Sequence, residues 1–386
     1  MALFEQIASD AERRRYRTTD PVRFETIGEF DAGSEADVKA AVERARKAQA
    51  SWAQLSFDQR AAYLWRLVDV IVERQDVIVD CVVKETGKTR NEAVSMEVMA
   101  ACMQISHYAK RAKKYLATVK RRPTGMLRFS SKLTLVYQPL GVIGLITPWN
   151  GPVALAANPL AQALMAGNAV VHKPSEVTPF SALVLKELTE AAGFPEDLYQ
   201  VVQGDGQTGA ALIEAGVDKV SFTGSVATGR KVGEACGRNL IPVTLELGGK
   251  DAMIVCRDAD LDRAADGAVR GSCFNTGHYC CGTERIYVPE EIYEPFDDKV
   301  VEHAKKLRQS DTEEGDVGAV FWDKQMDIIQ AQMEDARTKG AKVLVGGNRN
   351  AELPGLYFEP TVVVDVNHDM EIMQKETFGP IVAIQK

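Results

Sequence analysis

Gly141-Val142-Ile143-Gly144-Leu145-Ile146-Thr147-Pro148-Trp149-Asn150 is where the rhythm of the chain changes. Its apolar run over 142–147 reads as a buried strand, and the Thr-Pro-Trp-Asn that closes it reads as a loop. Downstream the alternation continues. Helix 155–165 leads to strand 169–172, helix 179–192 to strand 198–202, helix 208–215 to strand 220–223, and helix 229–238 to strand 241–247. Strands alternating with helices imply a parallel sheet covered on both faces.

A second α/β unit follows: strand 252–255, helix 261–274, strand 285–288, helices 292–307 and 322–339, and strand 342–345. The boundary between the units falls near Gly248-Gly249. The last residues, 379–386, are apolar and read as one more strand, inside which the sequence stops. A core strand left without a partner is unusual, so the expectation is a shortened form of a longer protein.

Upstream the chain is helical. Ser34-x-x-Asp37 looks like a capping box before an amphipathic run over 38–55, and Ser56-x-x-Gln59 repeats it before Leu64, Leu67, Val68, Ile71 and Val72. Gly87 is a helix stop, and a third helix covers 91–116. A Pro- and Arg-containing turn over 121–125 precedes an extended arm or hairpin over 126–138.

At 386 residues, with 45% hydrophobic and 26% charged side chains, the chain can bury a large core in two domains. A net charge of -8 argues against nucleic acid or an anionic membrane as partner. The basic runs 110–114 and 121–122 read as solvated faces. Seven cysteines, an odd number with no C-x-x-C pair, fit buried thiols in a reducing compartment. The polar segment 1–20 carries no signal-peptide core, and the apolar stretch 153–171 is broken by Asn158, Pro159, Gln162 and Asn168. A cytoplasmic protein is expected.

Chemistry concentrates in a few segments. Phe274-Asn275-Thr276-Gly277-His278-Tyr279-Cys280-Cys281 offers a nucleophile in a Gly-containing loop after a helix. Composition does not separate Cys280 from Cys281, and an inert buried cysteine would look the same. Glu246 ends an apolar strand before Gly248-Gly249-Lys250. Burial there would raise its proton affinity and suit it as a general base. A thiol that acylates and a carboxylate that activates water are the equipment for making and hydrolysing a thioester.

Phe222-Thr223-Gly224-Ser225-Val226-Ala227-Thr228-Gly229 places two glycines at a strand-to-helix turn where a pyrophosphate could sit. Its spacing differs from G-x-G-x-x-G, and an ordinary tight turn reads alike. Lys173-Pro174-Ser175-Glu176 lies at a strand's carboxyl end. There Lys173 can donate to ribose hydroxyls and Glu176 can accept from a 2′-OH, which favours NAD over NADP. Asn150 could donate to a developing oxyanion. His278 and Tyr279 read as residues that position the loop, and His107, His303 and His368 are too scattered for a metal site.

Taken in order from about residue 30 to the last, these segments resemble the aldehyde dehydrogenase superfamily. The motifs are Pro148-Trp149-Asn150, Lys173 to Glu176, Phe222 to Ser225, Glu246 to Lys250, Asn275-x-Gly277-x-x-Cys280 and Glu376-Thr377-Phe378-Gly379-Pro380. The resemblance implies a Rossmann-like parallel-sheet cofactor domain (1–120 and 141–247), a small oligomerisation arm (121–140) and a second α/β catalytic domain (248–386). Cys280, not Cys281, would be the nucleophile, Glu246 the base for the hydrolytic water, and Asn150 with the Cys280 amide the oxyanion hole. Ile146, Thr147, Pro148, Trp149, Lys173, Ser175, Glu176, Gly206, Phe222, Thr223, Gly224, Ser225 and Leu247 would bind the cofactor. Glu376 would hold the nicotinamide ribose and Phe378 pack near the ring. His278 stands where the family usually has glutamine, and Val226 where many members have threonine.

The implied activity is NAD(P)-dependent oxidation of an aldehyde, a semialdehyde among the options, with NAD favoured over NADP. The catalytic domain is expected to be incomplete at its C-terminus, and a homo-oligomer is expected if the family's C-terminal portion is present. No metal, membrane or nucleic acid is expected. Two other readings remain: a shortened, catalytically weak homologue that binds NAD or acts through subunit contacts, and a thiol hydrolase without a redox step. The small residues Gly151, Pro152, Val153 and Ala154 after Asn150 suggest no bulky aromatic gate on that side.

Overall fold

The computed structural model describes residues 14–310 and 314–386, so the reading of 1–20 as leaderless lies mostly outside the described residues. The described chain opens on an antiparallel hairpin, β1 (Arg15–Thr19) and β2 (Thr26–Asp31). Helices α1 (Glu35–Trp52) and α2 (Phe57–Glu73) start at complete capping boxes, Ser34 with Asp37 and Ser56 with Gln59, as the spacing predicts. Helix α3 (Gln75–Thr86) stops at Gly87, whose φ of 66° is the left-handed cap that glycine adopts freely.

The expected helix 91–116 is continuous in direction but not in hydrogen bonding. It consists of α4 (Arg90–Glu92), a π-helical segment (Ala93–Met99) and α5 (Ala100–Tyr115). The hairpin arm is displaced from the expected 126–138: its first strand, β3 (Val119–Arg121), precedes that segment and pairs with β4 (Leu133–Leu135), and Gly125–Phe129 between them is a 3-10 turn.

The βα array then unrolls as β5 (Val142–Ile146), α6 (Ala154–Met165), β6 (Ala169–Lys173), α7 (Pro179–Ala191), β7 (Tyr199–Val201), α8 (Gly206–Glu214), β8 (Lys219–Gly224), α9 (Val226–Arg238) and β9 (Val243–Leu247). The sheet is parallel in the order β7-β6-β5-β8-β9. Strands β5 and β6 are buried along their whole length, which explains the apolar sequence of β5 and of β6 as far as Val171. The buried His172 and Lys173 that end β6 are hydrogen-bonded to Thr147 and the Gly204 carbonyl. Leu145, at 1% exposure, contributes about 1.5–3 kcal/mol relative to an exposed leucine. Trp52 from α1 closes the core's end and donates Nε1–H to the Leu164 carbonyl at 2.9 Å.

The second unit contains β10 (Ala252–Ile254), α10 (Leu261–Cys273), β11 (Arg285–Tyr287), α11 (Tyr293–Ala304), α12 (Asp323–Thr338), β12 (Lys342–Val345), β13 (Thr361–Val364), α13 (Glu371–Gln374) and β14 (Ile381–Gln385). Its sheet order is β10-β11-β14-β13-β12, with only β12 antiparallel to its neighbour. The expectation that the last strand would lack a partner is therefore corrected. Strand β14 is the middle strand, paired to β11 on one side and β13 on the other.

Among the described residues no helix is long and apolar enough to cross a membrane. All seven cysteines are free, but the expectation of buried thiols holds fully only for Cys236 and Cys273, since Cys256 and Cys281 are exposed.

Candidate active site

Strand β5 is where the connections diverge: the chain proceeds outward to β6 and β7 on one side, and later to β8 and β9 on the other. Such a switch point opens a crevice at the strands' carboxyl ends. A cleft of about 700 Å³ lies there and reaches across to the second unit. Ile146, Thr147, Pro148, Trp149 and Asn150 line it from the end of β5, and Lys173, Ser175 and Glu176 from the end of β6. Gly206 contributes from the start of α8, and Phe222, Thr223, Gly224 and Ser225 from the β8–α9 turn. Glu246 and Leu247 from β9, with Cys280, Glu376 and Phe378 opposite, complete the candidates that the sequence singled out.

The loop that carries Cys280 begins where α10 ends. Asn275, Thr276 and Gly277 are all left-handed, with φ of 54°, 57° and 74°. Two successive non-glycine residues in that region store strain, which surrounding bonds must hold. Glu92 accepts the Asn275 N–H at 2.7 Å, and Asn275 Nδ2 donates to the carbonyls of Asn150 (3.0 Å) and His278 (2.8 Å). Gly277 has no room for a side chain: a Cβ would overlap the Gly379 carbonyl.

Cys280 is half-buried and lines the cleft, whereas Cys281 is exposed. Burial, and next the neighbouring Cys281, push the Cys280 thiol up to about 11. Asn150 is 4% exposed, and its Nδ2 donates to the His278 carbonyl at 3.0 Å. A carboxamide carries a second N–H. The Asn150 carbonyl receives Lys88 Nζ at 3.2 Å; Lys88 in turn pairs with Glu97 at 2.5 Å, both side chains fully buried. The other Glu97 oxygen accepts the amides of Val153 (3.0 Å) and Ala154 (2.9 Å) at the start of α6.

Glu246 corrects an expectation. The sequence suggested a buried carboxylate, but the side chain is exposed. Strand β9 is the edge of its sheet, and the apolar residues around Glu246 pack on the other face. Opposite it, burial and then Glu284 push Glu376 up to about 7. The segment carrying Glu376 is clamped by a buried pair, Lys250 with Glu284 at 2.5 Å, whose carboxylate accepts the amides of Thr377 and Phe378, each at 2.9 Å.

The residues fit a dinucleotide. Lys173 is buried, with Nζ 3.0 Å from the Gly204 carbonyl and 3.7 Å from Glu176. The amino end of α9, capped by Ser225, borders the cleft and carries the positive end of a helix dipole. A Cβ on Gly206 would meet no protein atom within 4 Å, which leaves open space beside the start of α8. Among the described residues no group of acidic, cysteine or histidine side chains could hold a metal ion.

Sequence reasoning missed the braces Lys88, Glu92, Glu97 and Glu284. A signal existed for two of them: Glu92 and Glu97 fall among Ala93, Met96 and Val98, which are buried positions of a helical run. Charges at core positions ask for a partner.

The pattern that defines the aldehyde dehydrogenase family matches residues 7–386. A Mycolicibacterium smegmatis protein provisionally named succinate-semialdehyde dehydrogenase (NADP(+)) is 40% identical over 354 residues, covering 91% of this chain and 68% of that protein. An aldehyde dehydrogenase structure from Brucella melitensis biovar abortus superposes with a TM-score of 0.91 at 35% identity, over 97% of this chain and 76% of that one. The NAD+ complex of a Bacillus cereus aldehyde dehydrogenase gives 0.91 at 31% identity (97% and 76% covered). An E. coli NADP-dependent enzyme gives 0.92 at 32% (97% and 77% covered).

Proposed function

Because this chain belongs to the aldehyde dehydrogenase family, we propose that it oxidises an aldehyde to a carboxylic acid with a nicotinamide cofactor. Cys280 is the nucleophile and Glu246 the base that releases the product. The observation that carries this reading is the meeting of Cys280, Asn150 and Glu246 in one cleft, although β9 and the nucleophile loop belong to different units.

Addition of the Cys280 sulfur to the aldehyde carbon places negative charge on oxygen, which Asn150 Nδ2 and the Cys280 amide stabilise. When bound, the nicotinamide supplies the hydride acceptor. Oxidation of the adduct leaves a thioester on Cys280. Glu246, exposed to solvent, takes a proton from the water that attacks it, and the acid departs with the thiolate restored. Lys173 and Glu176 hold the adenosine ribose, Gly224 and Ser225 the pyrophosphate, and Glu376 the nicotinamide ribose.

We assign 1–120 and 141–247 to the cofactor and 248–386 to the nucleophile. The arm 121–140 meets a second copy. Exposed Met126 (87%) and Phe129 (77%) on the arm support such a contact. Semialdehydes come first in a substrate panel, because curated relatives carry that name. The cofactor preference rests on Glu176, whose carboxylate repels a 2′-phosphate. The names of those relatives specify NADP(+), so both cofactors belong in the assay.

The test is a rapid-mixing assay of NAD(P)H. Cys280→Ala should give none, and Glu246→Gln should give one equivalent per site followed by slow turnover. Unchanged steady-state turnover in Glu246→Gln would overturn its assignment.

A further inference from the structure

His278 is fully buried, and its ring meets three others: Phe321 edge-on at 4.6 Å, Trp149 edge-on at 5.1 Å, and Phe378 stacked at 5.6 Å with 16° between planes. Both ring nitrogens are engaged. Nδ1 lies 2.8 Å from the Phe378 carbonyl oxygen, and the Phe321 N–H donates to Nε2 at 3.3 Å. A carbonyl only accepts and an amide only donates, so the proton sits on Nδ1 and the ring is neutral. Burial, which pushes this imidazole down to about 3, acts in the same direction. The backbone carbonyl of the same residue accepts Asn150 Nδ2 at 3.0 Å.

Phe378 needs holding. Its φ is 52°, a conformation that costs a non-glycine residue and persists only where contacts over-determine it. Its N–H donates to Glu284 at 2.9 Å, and its carbonyl also accepts from Gln325 Nε2 at 3.2 Å. The imidazole adds a second bond to that carbonyl and a stacked face to the ring.

We propose that His278 is a positioning residue that fixes Phe378 and Asn150 relative to each other, its side chain holding the one and its backbone carbonyl the other. The inference rests on the reading above, in which Asn150 faces the oxyanion and Phe378 packs by the nicotinamide. Loss of the Nδ1–H bond lets Phe378 relax toward negative φ, withdrawing the ring from the cleft. The adenosine side, held by Lys173, Glu176 and α9, lies outside this network. Hydride transfer should therefore suffer while cofactor binding does not.

Three variants separate the parts. His278→Phe keeps a ring without nitrogens, His278→Asn keeps a donor near the Nδ1 position without the ring, and His278→Ala keeps neither. In rapid mixing with NAD(P) and an aldehyde, His278→Phe and His278→Ala should lose about tenfold or more in the burst rate of NAD(P)H, and His278→Asn should recover to within about threefold of wild type. Cofactor Kd, from fluorescence titration, should stay within about twofold throughout. A wild-type burst in His278→Phe overturns the proposal. So does a burst in His278→Asn as slow as in His278→Ala, or losses that merely track the folded fraction on thermal unfolding. A crystal structure of His278→Phe gives a readout independent of activity: Phe378 should leave positive φ, and its retention there overturns the proposal. If the wild-type protein forms no NAD(P)H with any aldehyde, the functional reading fails, while the geometry of Phe378 still decides this one.

Discussion

Lys88 and Glu97 form an ion pair shut off from water, Nζ 2.5 Å from Oε1, beneath the loop that carries Asn150. Removing one partner of such a pair leaves an uncompensated buried charge and costs about 3–5 kcal/mol. Lys88→Met should lower the unfolding free energy by about that amount in a denaturant titration, and adding Glu97→Gln should restore part of it. An unchanged midpoint for Lys88→Met would mean that the pair does not brace the site.

Gly277 combines a φ of 74° with a backbone approach that leaves no space for a methyl group. Gly277→Ala must either move the Cys280 loop or push the 379–380 segment away. Turnover should fall about a hundredfold while the circular dichroism spectrum stays native. Wild-type kcat in this variant would contradict the close contact.

The Cys280 thiol, pushed up to about 11 by burial and then by Cys281, is protonated at neutral pH in the cofactor-free protein. Alkylation by iodoacetamide, followed at Cys280 itself by peptide mass spectrometry, should speed up about tenfold per pH unit above neutrality and level off near the thiol's own value. Because Cys281 contributes to the upward push, Cys281→Ser should lower the pH of the plateau. A plateau near pH 8 in the wild-type protein would sink this account.

Glu376 titrates near neutrality, raised to about 7 by burial first and Glu284 second. Only the ionised carboxylate is a pure acceptor for ribose hydroxyls, so cofactor binding should tighten as pH rises from 6 to 8. Glu376→Gln should flatten that dependence in a fluorescence titration. The sign for folding is opposite. A carboxyl whose folded value lies above its unfolded value adds stability below the unfolded value, and that stability is lost as pH rises through about 7.

Glu176 stands 3.7 Å from Lys173, close enough for the lysine to offset part of its repulsion toward a 2′-phosphate. Glu176→Ser should raise kcat/KM with NADP by about tenfold or more and lower it with NAD. Equal ratios before and after substitution would remove Glu176 from cofactor selection.

The legible parts of the sequence were those in which one physical rule dominates. The capping boxes at Ser34 and Ser56 and the apolar runs of β5 and β6 satisfy local hydrogen bonding and burial at once. The candidates of the first unit lie mostly at strand ends or in the turns that follow them, where the topology gathers them, whereas Cys280, Glu376 and Phe378 lie on loops.

What escaped has equally specific causes. Strands β1 and β2 are short and polar, tied by pairs such as Arg15 with Asp31 that exist only once the hairpin forms. Strand β13, Thr-Val-Val-Val, is buried on both faces and shows no alternation. The exposure of Glu246 depended on β9 being an edge, which its own residues do not reveal. His278 as a hub required three loops distant in sequence.

The central place of β14 also orders events during synthesis. The first sheet has all its strands once residue 247 is made, but β11 and β13 share no edge and can be joined only by a strand translated after both. Until then the nascent second unit exists as two unjoined ladders with bare rims, exposed to chaperones and to mispairing.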